Sequence, residues 1–176
     1  MENQKLTLVE QSLAMTAGMH RFLQNQKNGT NSNSSRLDKD VRGVGGEITV
    51  AKWLNVYPQL TTGPHRGGPD LDFNGETIDV KTTKHSPAFL KASLKTKVTT
   101  SDIYILVHEE VFPIYKIIGA IRAEEFIQEG NINDTGWGKE YSLEEHQLYS
   151  LKVALEKPNV NETFLPWNDT INENAR

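Results

Sequence analysis

The chain has no cysteine among its 176 residues, which excludes a disulfide framework and any zinc site built on thiolates. It has no apolar run approaching the roughly 20 residues that a membrane-crossing helix needs. Its opening, MENQKLTLVEQ, lacks the basic-then-apolar order of a secretory leader. The expectation is a cytoplasmic protein with no membrane partner. The five histidines are dispersed, without the paired spacing of a zinc site. There is no Gly-Lys-Ser/Thr for a phosphate-binding loop, and Gly43, Gly45 and Gly46 lack the third glycine of a dinucleotide fingerprint. Asn-x-Ser/Thr triplets at Asn28, Asn33, Asn161 and Asn168 have no use in a chain that stays in the cytoplasm, and are read as incidental. No internal repeat is visible.

The formal net charge of −4 argues against a generally basic coat for nucleic acid. The charge is uneven, however. Residues 1–100 hold 13 Lys/Arg against 9 Asp/Glu, and residues 101–176 hold 6 against 14. A mildly basic first part and an acidic second part permit a phosphate-facing surface with an acidic far side, although plain solvated charge would give the same counts.

Apolar residues Leu8, Leu13, Met15, Met19, Phe22 and Leu23 recur at helical spacing and predict a helix over 7–26. The tract NGTNSNSSR, 28–36, has nothing to bury and reads as a linker or loop. A second helix is expected from about residue 44 through GEITVAKWLN, with Glu47, Ala51 and Leu54 on the face toward a sheet. Strands are expected over 57–61, 71–73 and 77–83, then a helix over 88–97, then strands over 103–108 and 114–121. A short helix over 123–128, a Gly/Asn-rich loop NINDTGWGKE and a strand or helix near 148–155 complete the order. This is an α/β arrangement around one mixed sheet. The expected division is an amino-terminal helical arm (1–27), a polar linker (28–40), a main domain (41–156) and a polar tail (157–176) in which Phe164, Leu165 and Trp167 stand isolated.

Chemistry concentrates in GGPDLDFNGETIDVKTTK, 67–84. Residues two apart in a strand share a face, so Asp79 and Lys81 point one way while Ile78, Val80 and Thr82 point the other. Asn74-Gly75 is a strong hairpin signal and would fold Asp70 back beside them. Two carboxylates and an amine then meet. Hard Mg²⁺, with Mn²⁺ as a substitute, takes carboxylate, carbonyl and water oxygens, which Asp70, Asp79 and the Val80 carbonyl would supply. Lys81 would lie near an attacking water, to orient it, to help deprotonate it or to stabilise charge on phosphoryl oxygens.

The pattern Pro69-Asp70, then Asp79-Val80-Lys81, after a helix bearing Gly46-Glu47, resembles the PD-(D/E)XK nuclease superfamily. The resemblance covers residues 41–121, and more loosely the whole layout looks like small phage-encoded or bacterial members. It implies a restriction endonuclease-like three-layer core, with a central mixed sheet flanked by helices and an amino-terminal helical arm. It also implies metal-dependent hydrolysis of DNA, with Asp70, Asp79, Lys81 and Glu47 as site residues and Glu47 assisting the metal. A role in phage or defence-related DNA processing would follow, in the host cytoplasm for a phage-encoded member.

Around that site the sequence offers His65 and Arg66 ahead of Asp70, then Thr83 and Lys84 after the strand, with Lys91 and Lys95 one helical turn apart beyond them, as DNA contacts. Each has a plainer reading: turn residues for His65 and Arg66, a β-branched strand residue for Thr83, an exposed helix face for the lysines. Glu47 could equally be a helix-start carboxylate. Asp72 and Glu76 compete for the carboxylate roles, since a hairpin slip would exchange Asp70 with Asp72. His108 reads as structural, and Trp53, Trp137 and Trp167 as packing residues before base-stacking ones. Homodimer contact through the leading helix is a further expectation. The competing function is a protein of the same fold that binds nucleic acid, or regulates, without cutting.

Overall fold

The computed structural model describes residues 3–27, 37–60, 68–134 and 138–156. The fold is mixed α/β. A two-residue strand β1 (Gln4–Lys5) leads into helix α1 (Leu8–Lys27), and helix α2 (Leu37–Leu54) follows. The hairpin β2 (Leu71–Phe73) and β3 (Glu76–Thr83) turns at Asn74-Gly75, both with positive φ (55° and 82°), as the Asn-Gly signal predicted. Then come β4 (Phe89–Ser93), β5 (Ile103–Val111), β6 (Ile114–Arg122), α3 (Ala123–Phe126), β7 (Ile132–Asp134), β8 (Lys139–Glu144) and α4 (Leu151–Glu156).

Five strands form a mixed sheet in the order β1-β6-β5-β3-β2, in which only the β3–β5 pairing is parallel. Register shifts between β5 and β6 mark bulges, which increase local twist and curl the sheet. One face carries Ile78 and Val80 of β3 with Ile103, Ile105 and Val107 of β5, packed with Val44, Ile48 and Ala51 of α2 and Leu151 and Ala154 of α4. The other face carries Tyr104 and Leu106, packed with Leu90, Leu143 and Phe126. The layer over that second face is chiefly a separate antiparallel sheet, β4-β8-β7. Strands, rather than flanking helices, therefore make the third layer.

Three further expectations change. The helix expected over 88–97 is β4: Leu90 and Ala92 are buried while Lys91 and Ser93 point outward, and β8 supplies the partner edge. Its Leu, Lys and Ala favour helices intrinsically, and the tertiary pairing overrides that preference. Residues 57–60 form no strand; Thr61 lies outside the described residues. Helix α2 starts at Leu37, inside the span read as linker, with Asp38 and Asp40 in a first turn where the helix dipole favours them. Near 148–155 the helix alternative holds, over Leu151–Glu156.

Helix α1 meets α2 through small residues. Ala14, Ala17 and Gly18 are buried, while Leu8, Met15, Met19 and Leu23, which revealed the helix in the sequence, are exposed. A Cβ on Gly18 would lie 2.6 Å from the Val41 Cα, so the two helices touch backbone to backbone. On the far side of α2, a Cβ on Gly46 would lie 2.0 Å from Thr82 Oγ1, so this glycine lets the helix lie directly on β3. Those two contacts set where the next residue, Glu47, emerges.

Candidate active site

The β2–β3 ladder ends at Leu71–Ile78, and Asp70 stands just beyond it. Its backbone N–H donates to the Ile78 carbonyl at 2.8 Å. Its side-chain Oδ2 then accepts from the Val80 N–H at 2.7 Å, taking the place of the next strand partner. In an extended strand the N–H and C=O of one residue point to the same side, so the Val80 carbonyl projects from the same edge as Asp70. Asp79 approaches from the β4 side of the sheet, level with Tyr104 of β5, and Glu47 approaches from the helical side. The short β2 thus lets carboxylates from both faces and from the edge converge.

Their electrostatics record that convergence. Burial pushes the Asp70 carboxyl up to about 7, and the charges of Glu47 and Asp79 add to the shift. Burial likewise raises Glu47, which is 4% exposed; Arg21 works against the rise, and Asp79 adds to it. Lys81 Nζ lies 2.5 Å from Asp79 Oδ1. That contact is an ion pair off the hydrogen-bonding direction, since the buried Oδ1 has no aligned donor among the described residues.

Arg21 of α1 is a site neighbour that the sequence reading missed. Its two terminal nitrogens donate to Glu47 Oε1 and Oε2 at 2.5 and 2.7 Å. Burial opposes the guanidinium charge, but the hydrogen bond and charge of Glu47 outweigh it and raise the Arg21 pKa. Tyr104 was also missed. It is fully buried, its hydroxyl has no hydrogen-bond partner among the described residues, and burial followed by the Asp79 charge pushes the phenol up to about 12. It lines a cavity of about 260 Å³ with Asp79, Lys81, Lys91, Ser93, Thr96 and Thr100.

A wider groove of about 500 Å³ runs on from Lys81 and Lys91, bordered by Lys39, Arg42, Thr83, Lys84 and His85. The expected contacts Thr83, Lys84 and Lys91 lie in it. Thr83 Oγ1 accepts from the His85 N–H at 3.1 Å, and Lys91 pairs with Glu140 at 2.6 Å. Lys95 sits in the exposed turn after β4, so it is not one helical turn from Lys91. His65 and Arg66 lie outside the described residues. Asp72 is exposed and opposite Thr77, and Glu76 is paired with Arg122, so neither takes a place in the cluster.

Among the described residues no three Asp, Glu or His side chains form a ready metal cage. Both Glu47 oxygens are held by Arg21, which leaves Asp70, Asp79 and the Val80 carbonyl. That donor set suits Mg²⁺, which is commonly held by one or two carboxylates together with waters and substrate phosphate. Burial first, and then the Glu47 and Asp79 charges, raise Asp70, and a cation bound beside it would favour its ionised form.

No helix among the described residues is long and apolar enough to cross a membrane. No family model, curated protein or solved structure matches this chain.

Proposed function

We propose that the chain is a metal-dependent nuclease of the PD-(D/E)XK type that hydrolyses DNA phosphodiester bonds with Mg²⁺, or with Mn²⁺ in its place. The observation that carries this reading is the meeting of Glu47, Asp70, Asp79 and Lys81 at the end of the β2–β3 ladder, at the head of a lysine-lined groove. A divalent ion bound there would neutralise phosphoryl oxygen charge and activate a water. Asp70 and Asp79 hold that position. Lys81, paired with Asp79, would bring its ammonium to the attacking water and the phosphoryl oxygens. Lys39, Lys84 and Lys91 supply cationic contacts to the nucleic-acid backbone without reading sequence, while Arg42 on the border of the groove is already paired with Glu109 and Asp38. DNA processing by a phage, or by a host defence system, is the setting we propose.

The test is cleavage of supercoiled, linear and single-stranded DNA with Mg²⁺ or Mn²⁺ by wild type, Lys81→Ala and Asp79→Ala. Cutting by wild type that both variants lose supports the reading. A folded wild type that cuts nothing, or variants that cut equally, would overturn it. The grip of Arg21 on Glu47 favours a second reading, a non-catalytic nucleic-acid-binding or regulatory protein; DNA retention without cleavage would select it. Dimerisation through α1 has one support, the exposed Leu8, Met15, Met19 and Leu23. Light scattering that finds only monomer would remove it.

A further inference from the structure

Arg21 reaches the acidic cluster from a helix whose position is fixed on both sides of it. Gly18, one turn before, lies against Val41 of α2. Asn25, one turn after and 3% exposed, donates to Asp40 Oδ2 at 3.4 Å. The guanidinium is thus held level with Glu47 by packing, and its planar fork matches both carboxylate oxygens.

The remaining oxygens can be followed one by one. Glu47 Oε1 and Oε2 each accept from Arg21. Asp70 Oδ2 accepts from the Val80 N–H, and Asp79 Oδ1 faces the Lys81 ammonium. Among the described residues, Asp70 and Asp79 therefore each keep an oxygen for a metal. Two-metal sites hold their ions about 3.5–4 Å apart as a paired clamp, which asks for carboxylate oxygens directed at both positions. Charge leads to the same count. Three carboxylates, Arg21, Lys81 and one divalent ion leave the cluster one charge positive, matched by one phosphodiester; a second divalent ion would leave it three positive.

We propose that Arg21 holds Glu47 outside the coordination shell and stands in for a second metal ion, so that the site takes one divalent cation on Asp70, Asp79 and the Val80 carbonyl. This rests on the nuclease reading for the metal itself, and goes beyond it in fixing the number of ions and giving Arg21 a positioning role. Glu47 then supports the metal as a neighbouring charge, and α1 becomes part of the site.

Mn²⁺ binding to the full chain, followed by the electron paramagnetic resonance of free Mn²⁺, tests this without relying on activity. Wild type should bind one ion. Glu47→Gln, which keeps the shape and one acceptor for Arg21, should still bind one, with affinity lowered by no more than about 10–100-fold. Arg21→Ala should release Glu47 and either tighten binding at least about tenfold or admit a second ion, and adding Glu47→Gln to it should cancel the change. Two ions in wild type would overturn the proposal, as would loss of Mn²⁺ binding in Glu47→Gln. So would a folded Arg21→Ala protein that binds Mn²⁺ as wild type does. Should Arg21→Ala fail to fold, the Glu47→Gln and wild-type titrations still decide. A wild type that binds no Mn²⁺ removes both this proposal and the nuclease reading. One Mn²⁺ bound without DNA cleavage supports the single-ion site and counts against the nuclease.

Discussion

The two halves of β3 are built on opposite principles. At its start, Asp102 Oδ2 accepts from the Thr77 N–H at 2.8 Å and from Thr77 Oγ1 at 2.6 Å, and the buried Arg122 pairs with Glu76. Charges there are matched by partners within the fold. Four residues further on, Asp70 accepts one backbone hydrogen bond while two other carboxylates press on it. The first arrangement fastens a strand. The second keeps anionic charge in reserve, which is unfavourable for folding and useful for a cationic ligand. The comparison teaches that a carboxylate beside a strand terminus is identified by what surrounds it, since both aspartates accept a β3 backbone N–H.

If the halves differ in this way, substitutions should separate activity from stability. The largest effect is expected at the reserve half: Asp79→Asn and Lys81→Ala should each lower DNA cleavage by about 10²–10⁴-fold, with circular dichroism unchanged. Next is the fastening half, where Asp102→Ala removes two hydrogen bonds to a charged acceptor and should cost about 2–4 kcal/mol. That is a fall in Tm of about 4–16 °C, read by calorimetry, while the protein that stays folded still cleaves. Equal damage to stability by Asp79→Asn and Asp102→Ala would erase the distinction.

A third, smaller effect sharpens it through pH. The folded-state pKa of Asp70, about 7, lies above its unfolded value of 3.8, so between these values the folded chain holds a proton that the unfolded chain has released. Stability from this group is present below about pH 4 and is lost as pH rises toward 7. Asp70→Asn keeps an acceptor for Val80 and removes that loss. In metal-free protein its Tm should exceed that of wild type at pH 8, on the order of 5 °C after allowing for solvent screening, and the gain should vanish near pH 4. A constant difference across the range would show that Asp70 carries no stored charge. Smallest is the groove: Lys84→Ala should weaken DNA binding evenly across sequences and lower the salt slope by about 1, measured by fluorescence anisotropy against salt concentration.

Much of the hairpin was legible because its signals are local. Asn74-Gly75 dictates the turn, and alternation assigns Asp79 and Lys81 to one face and Ile78 and Val80 to the other. The third layer was hidden for a physical reason: β4 is written in helix-favouring residues and becomes a strand only by pairing with β8, about fifty residues downstream. Arg21 was hidden because its partner is 26 positions away. A faint signal existed in Ala14, Ala17, Gly18, Arg21 and Asn25, small or polar residues at one helical spacing. The larger Leu and Met residues drew attention to the opposite, exposed face.

The late position of β8 has a consequence for synthesis. A ribosome that has released residues up to Val111 has delivered Arg21, Glu47, Asp70, Asp79 and Lys81 together with β5, the parallel partner of β3, so the acidic centre can assemble before β8. The groove cannot. Phe89 and Lys91 sit on a strand whose partner edge spans Lys139–Glu144, and until that edge emerges Leu90 has no Leu143 opposite it. The charged centre can thus form before the wall that shapes what may approach it, and the groove closes only after Lys139–Glu144 has emerged.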